Sequence, residues 1–181
     1  MEGYSQLTQS DYSEHSATEK MHDAFAFLSS MIFVIAASLS KSLRPAAVMV
    51  ATLVGMMLIR ELDALLDENL FDGGWQTLVC ILMAGTTVYL IKQPYPVKPS
   101  LIEFSHLASA GIFLSGFLVI MAFSRLIGRG SFWEAVMGEG YMRVVKNIAE
   151  EGTELMGYTL LLISAVEFLW YVISQRKAEK S

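Results

Sequence analysis

The run of residues from Leu155 to Ile173 constrains the fold of this chain more than any other feature. It is almost wholly apolar, and the charged segment Lys146–Glu154 leads into it without a proline. A helix needs about 20 apolar residues to cross the hydrocarbon core of a bilayer, which is about 30 Å thick. With its flanking residues this run meets that length, so we expect a membrane protein.

The composition supports the same class of protein. Of the 181 residues, 54% are hydrophobic and only 17% are charged, and the mean hydropathy is +0.46. These values lie outside the range usual for soluble domains. The net charge of -5 and the lack of clustered basic residues in the sequence exclude a nucleic-acid-binding surface. Cys80 is the only cysteine, and we expect its side chain to be buried among apolar residues.

Five apolar segments are expected to form the membrane helices of an all-α, polytopic bundle. Their approximate boundaries are residues 19–39, 46–68, 75–91, 100–127 and 150–174. Residues 131–149 place apolar and charged side chains at helical spacing, which is typical of an amphipathic helix in the membrane interface. We therefore predict a single membrane domain over residues 19–175, between a flexible polar tail at 1–18 and a basic tail at 176–181.

Basic residues are distributed unequally between the two sides that five crossings would define. One side would carry seven of them, namely Lys41, Arg44, Lys92, Lys98, Arg176, Lys177 and Lys180. The other side would carry five, namely Lys20, Arg125, Arg129, Arg143 and Lys146. Because cytoplasmic loops are enriched in lysine and arginine, we expect an inner-membrane protein with its N terminus outside and its C terminus in the cytoplasm.

Four side chains from three predicted helices are expected to form a site on the outer side of the membrane. They are His22 at the start of the first helix, Glu61 at the end of the second, and Glu150 and Glu154 at the start of the fifth. Ionised side chains at membrane depth are costly unless they are paired, hydrated or bound to a cation. We therefore expect these four residues to bind a cation or protons.

A charge network is expected around this site, and it has a purely structural alternative. Arg60, Asp63 and Glu151 are predicted to support the four site residues. The alternative is that the nearby basic and acidic side chains neutralise one another and fix the helix packing without any chemistry. It would involve Arg60, Arg143, Lys146, Asp63, Glu150 and Glu151. Glu61 and Glu154 would then still lack a basic partner.

A second polar group is predicted on the inner side, where the fourth and fifth helices would pack antiparallel. It comprises Glu103, His106 and Glu167, and Glu167 interrupts an otherwise apolar run. A histidine and a carboxylate placed together can relay protons, or they can simply hydrogen-bond across a helix interface. Both interpretations follow from the sequence.

Two functional hypotheses use the outer carboxylates. In the first, the protein transports or conducts a cation or protons through the site that contains Glu61 and Glu154. In the second, it is a metal-dependent membrane enzyme that acts on a lipid or a quinone. The spacing Glu19-x-x-His22 occurs in di-iron carboxylate bundles, and a carboxylate-rich ligand set would suit a divalent metal ion as cofactor.

A third hypothesis requires no chemistry. Small residues recur between Ser105 and Gly116 in the fourth predicted helix, and such residues let neighbouring membrane helices approach closely. The protein would then be an accessory or scaffold subunit, which docks a second copy or another membrane protein through this helix.

Overall fold

The computed structural model describes residues 17–69, 71 and 73–178, and this part of the chain contains helices and connecting turns but no β-strand. Most of the predicted polar tail, together with Asp72 and Lys180, lies outside the described residues. The α-helices in chain order are α1 (Ala17–Leu39), α2 (Arg44–Glu61), α3 (Asp63–Asn69), α4 (Gly74–Lys92), α5 (Val97–Ser105), α6 (Ala108–Leu118), α7 (Ser124–Ile127), α8 (Gly130–Met137) and α9 (Arg143–Ala178). A π-helical turn, Val119–Phe123, joins α6 to α7, and a 3₁₀ turn, Gly138–Gly140, follows α8.

Four of the described segments are long and apolar enough to cross a membrane. They are Thr18–Leu39, Gly74–Lys92, Ala108–Ile127 and Arg143–Ala178. Helix α2 has 18 residues and packs between α1 and α4, but it includes Arg44, Arg60 and Glu61. An all-helical membrane protein is therefore supported by both the composition and the lengths of these helices.

Helix α9 is the central helix of the bundle, because it packs against α1 and also against α6, the π-turn and α7. Its buried side chains recur every three or four residues, which places them in one stripe along the helix. They are Tyr158, Leu161, Ala165, Phe168 and Val172. In the middle of the core, the Phe168 ring lies 5.5 Å from that of Phe33 on α1 and 5.3 Å from that of Phe104 on α5.

Helices α6 and α9 run antiparallel and approach each other closely. The Ser164 hydroxyl donates a hydrogen bond to the carbonyl of Ser109 at one end of this pair, at 2.8 Å. Further along, a Cβ atom at Gly116 would lie 2.8 Å from the carbonyl oxygen of Gly157, which is closer than real contacts allow. The small residues of the fourth predicted helix thus serve partly in packing within the chain.

Three predicted helices have different boundaries in the structure. The second is divided at Leu62, where α2 ends and α3 begins. The fourth is divided at His106 and Leu107, because Leu107 is extended, with φ -86° and ψ 148°, and α5 is therefore separate from α6. The fifth begins earlier, at Arg143, since no residue between it and Glu150 interrupts a helix.

The predicted interfacial helix at residues 131–149 is likewise not continuous. Its first part is α8, which ends where Gly138 adopts a φ of +54°, a conformation that glycine permits and other residues rarely adopt. Its last part belongs to α9. The expectation that Cys80 would be buried was also wrong, because α4 packs mainly along α2 and α3 and Cys80 is exposed.

Candidate functional site

Three core stripes end in a titratable residue at the same end of the bundle. On α9 the stripe continues from Tyr158 back to Glu154, four residues earlier, and on α2 it continues from Val54 and Met57 to Glu61. On α1 it begins with His22, which precedes Ala26 at the same spacing. Positions three or four apart share a helix face, so these polar residues point inward where apolar ones would be expected.

Glu61 accepts a hydrogen bond from a side chain of α9. The Tyr158 hydroxyl donates a hydrogen bond to Glu61 Oε1 at 2.9 Å, and the Tyr158 residue is 0% exposed. Glu61 is the last residue of α2, and this bond fixes the end of that helix against α9. Hydrogen bonds to an ionised carboxylate are stronger than those between neutral groups.

His22 is buried beside the same tyrosine. It is 3% exposed, and its ring centroid lies 5.4 Å from that of Tyr158. Its Nε2 atom lies 3.1 Å from the backbone oxygen of Glu151. A carbonyl oxygen can only accept, so Nε2 carries a hydrogen and donates it, and the imidazole connects α1 with the first turns of α9.

Glu154 contacts a buried serine from α7. The Ser124 hydroxyl, which is 0% exposed, donates to Glu154 Oε1 at 3.0 Å. The same hydroxyl oxygen lies 2.7 Å from the backbone oxygen of Ile120, to which it can also donate. Ser124 has a single hydroxyl hydrogen, so two acceptors compete for one donor.

The charges of this site are concentrated on carboxylates. Glu61 interacts electrostatically with His22, Asp23 and Glu154. One carboxylate oxygen of Asp23 is buried and has no hydrogen-bond partner. We refer to His22, Asp23, Glu61, Glu154 and Tyr158 as the Glu61 cluster. Two basic residues act on it electrostatically: Arg125 acts on Glu154, and Arg60, which is exposed, acts on Tyr158.

Glu150 is neutralised locally. Its Oε2 atom lies 2.8 Å from Lys146 Nζ, one turn earlier on α9. Its carboxylate also packs against the backbone of Gly128, where a side chain would overlap it. For this residue the structure shows the internal pairing that the purely structural alternative proposed. Glu151 contributes its backbone carbonyl to His22, and Glu151 and Asp63 each have interaction partners within the protein.

The four predicted site residues lie at one end of the bundle, but they do not surround a common point. Among residues 17–69, 71 and 73–178, no three His, Cys, Asp or Glu side chains are grouped so that they could hold a metal ion. His22 Nε2 is engaged with a carbonyl and Glu150 with a lysine. In the described part of the chain, His22 and Glu150 thus each have a partner within the protein.

The residues predicted for an inner relay are not brought together. His106 is exposed, and its Nδ1 atom lies 2.7 Å from the backbone oxygen of Ile102 in the preceding turn. Glu167 is exposed on α9, whereas Glu103 lines a cavity at the end of the bundle opposite Glu61. Within the described part of the chain, no hydrogen bond or ion pair joins any two of the three.

Several residues of the site were not among the predicted ones. Tyr158 lies one helical turn after Glu154, so the sequence could have indicated that both share a face of α9. Ser124 and Arg125 reach the cluster only because the chain from α6 to α7 packs along α9, and no local pattern indicates this.

Comparison of the chain with protein-family models, with curated proteins and with solved structures finds no match. Its function is therefore inferred from the chemistry of the Glu61 cluster.

Proposed function

We propose that this chain is a multi-pass protein of the inner membrane that binds protons at Glu154 and Glu61 and couples their binding to transport or conduction. In this proposal α2 completes five crossings, the Glu61 cluster lies on the outer side, and the C terminus is cytoplasmic. The excess of basic residues in the loops at the opposite end supports this orientation.

The hydrogen bonds of Ser124 carry the proposal. If Glu154 is ionised, the serine can satisfy either the carboxylate or the carbonyl of Ile120, but not both with good geometry. If Glu154 is protonated, its own hydroxyl donates to Ser124 Oγ, and Ser124 donates to Ile120. Both distances, 3.0 Å and 2.7 Å, are then hydrogen bonds at once.

The surroundings of Glu154 also favour a bound proton. Glu61 repels it electrostatically, and two carboxylates that share a site cannot both ionise without cost. Glu61 in turn already accepts a hydrogen bond from Tyr158. A proton on Glu154 thus removes the repulsion while each side chain retains its hydrogen bond.

Proton flux into liposomes tests the proposal. The purified protein would be reconstituted, and acidification of the lumen under an imposed gradient would be followed with an entrapped pH-sensitive dye. Replacement Glu154→Gln or Glu61→Gln should reduce the protein-dependent flux at least about tenfold, as the removal of a proton-transfer group typically does. The matched control is Glu134→Gln, since Glu134 is an exposed carboxylate on α8 outside the cluster.

The same preparation distinguishes the two other hypotheses. Flux that is unchanged in both cluster variants would contradict proton coupling at these residues. A stoichiometric divalent metal that is lost in Glu61→Gln would instead favour the membrane enzyme. The scaffold hypothesis would be favoured if one defined membrane protein co-purified with the chain and if Glu154→Gln and Glu61→Gln did not weaken this association.

A further inference from the structure

A cavity of about 520 Å³ opens at the end of the bundle opposite the Glu61 cluster. It lies where the turn between α1 and α2 meets the end of α9, and Tyr95 and Glu103 close it on a third side. Its polar lining comes from Ser40, Lys41, Ser42, Tyr95, Glu103, Gln175 and Arg176. Cavities of this size are typical of small-molecule sites.

The charge in this cavity favours an anion. Lys41 and Arg176 contribute two cations to its wall against the single carboxylate of Glu103. Neither cation forms a salt bridge within the described part of the chain. Ser40 and Ser42, whose hydroxyl oxygens lie 3.4 Å apart, add hydrogen-bond donors beside them. A guanidinium, an ammonium and hydroxyls together suit the oxygens of a phosphate.

A smaller groove with apolar and basic lining residues adjoins the cavity. It has a volume of about 280 Å³ and is lined by Leu39, Ile173, Arg176 and Lys177. Leu39 and Arg176 line both spaces, so the groove begins where the charged cavity ends. It runs between the last turns of α1 and α9, two helices that are apolar enough to span a membrane. Leu39 and Ile173 give the groove an apolar wall, so a ligand with an anionic head and an apolar tail fits both spaces.

We propose that the cavity and the groove form one binding site for an anionic phospholipid. Arg176 and Lys41 bind its phosphate, Lys177 adds charge at the rim, and one acyl chain lies along Leu39 and Ile173. Basic pockets between membrane helices bind anionic headgroups in this way. The site is independent of proton binding, since it lies at the other end of the bundle from Glu154 and shares no residue with the Glu61 cluster.

Native mass spectrometry of the full-length protein in mild detergent tests this site, with phosphatidylglycerol titrated against phosphatidylcholine. The wild-type protein should retain phosphatidylglycerol preferentially. Each basic residue near an anionic lipid surface strengthens binding about fivefold, so K41Q/R176Q should weaken it about 25-fold. The matched control is K92Q/K98Q, which removes two exposed cations at the same end that line neither space. Ser100 places Lys98 there, because its hydroxyl accepts from the backbone N–H of Ala46 at the start of α2.

Two comparisons decide the result. An equal loss in both double variants would overturn the proposal, because binding would then be diffuse surface attraction. A second experiment measures the binding of inorganic phosphate as well as of phosphatidylglycerol. It compares the wild-type protein with the single variant Ile173→Ser. The proposal expects Ile173→Ser to weaken lipid binding several-fold and to leave phosphate binding unchanged. If phosphate binds the wild-type protein as tightly as the lipid does, the groove adds no affinity, and the proposal that it holds an acyl chain is overturned.

Discussion

The hydroxyl of Tyr158 lies 2.9 Å from Glu61 Oε1 and joins residues that are 97 positions apart in the chain. It connects the end of α2 to the central helix of the bundle at the point where three core stripes become polar. The bond is therefore a direct structural tie between the two helices.

Replacement Tyr158→Phe should destabilise the protein. The change removes only the hydroxyl, and the Glu61 carboxylate loses its donor. Hydrogen bonds to charged groups contribute about 1.5–3 kcal/mol, so the midpoint of thermal unfolding in detergent should fall by several degrees. Tyr89→Phe is the control, because Tyr89 is exposed on α4. Equal midpoints for the two variants would show that the Tyr158–Glu61 bond adds nothing to stability.

Replacement Gly157→Ala should destabilise the protein, although alanine normally favours a helix more than glycine does. A Cβ at this position would overlap the side chain of Ile120 on the π-turn and approach the carbonyl oxygen of Gly116 to 3.1 Å. Overpacking of this kind costs about 1–3 kcal/mol. Gly152→Ala on the same helix meets no atom within 4 Å and should instead stabilise α9 by up to about 1 kcal/mol. Thermal unfolding of the two variants side by side is the measurement, and opposite signs are expected.

Replacement Glu154→Gln should change the free energy of unfolding by no more than about 0.5 kcal/mol. Replacement Glu154→Leu should lower it by about 1–2 kcal/mol. The glutamine amide can donate to Ser124 Oγ as a protonated glutamate does, but leucine offers no hydrogen-bonding group. Chemical unfolding of both variants at mildly acidic pH, where Glu154 carries its proton, checks this. A strong destabilisation by glutamine would indicate that the native protein holds Glu154 ionised.

Replacement Lys146→Gln should have only a small effect. The Lys146–Glu150 pair has i,i+4 spacing, and its side chains are 20% and 25% exposed, so solvent screens the attraction. Pairs of this type contribute about 0.3–0.5 kcal/mol. The unfolding midpoint should therefore shift much less than in Tyr158→Phe, and a larger shift would mean that Lys146 also supports the Glu61 cluster.

The apolar runs of the sequence predict most of the helices, because a segment such as Leu155–Ile173 has few alternatives in a membrane. The interruptions are less predictable. Leu62 and Leu107 carry no turn signal, so no local pattern indicates the breaks there. Gly138 is the exception, since its positive φ ends α8 at a residue type that favours such a conformation.

The candidate site was predictable in part. His22, Glu61 and Glu154 are polar residues at core-stripe spacing, and the sequence places all three at one end of the helices. The sequence does not distinguish Glu150, which pairs with Lys146, from Glu154, which faces a buried serine. That difference depends on how α9 is rotated against α7, which carries Ser124.

Infrared difference spectroscopy of the purified protein tests proton binding at Glu154 most directly. A protonated carboxylic acid has a carbonyl stretch that an ionised carboxylate lacks, and isotopic exchange in deuterated water shifts it. We expect such a band from Glu154 in the wild-type protein at mildly acidic pH, its loss in Glu154→Gln, and its retention in Glu134→Gln. A spectrum of Glu154→Gln that keeps the wild-type band would contradict proton binding at this residue.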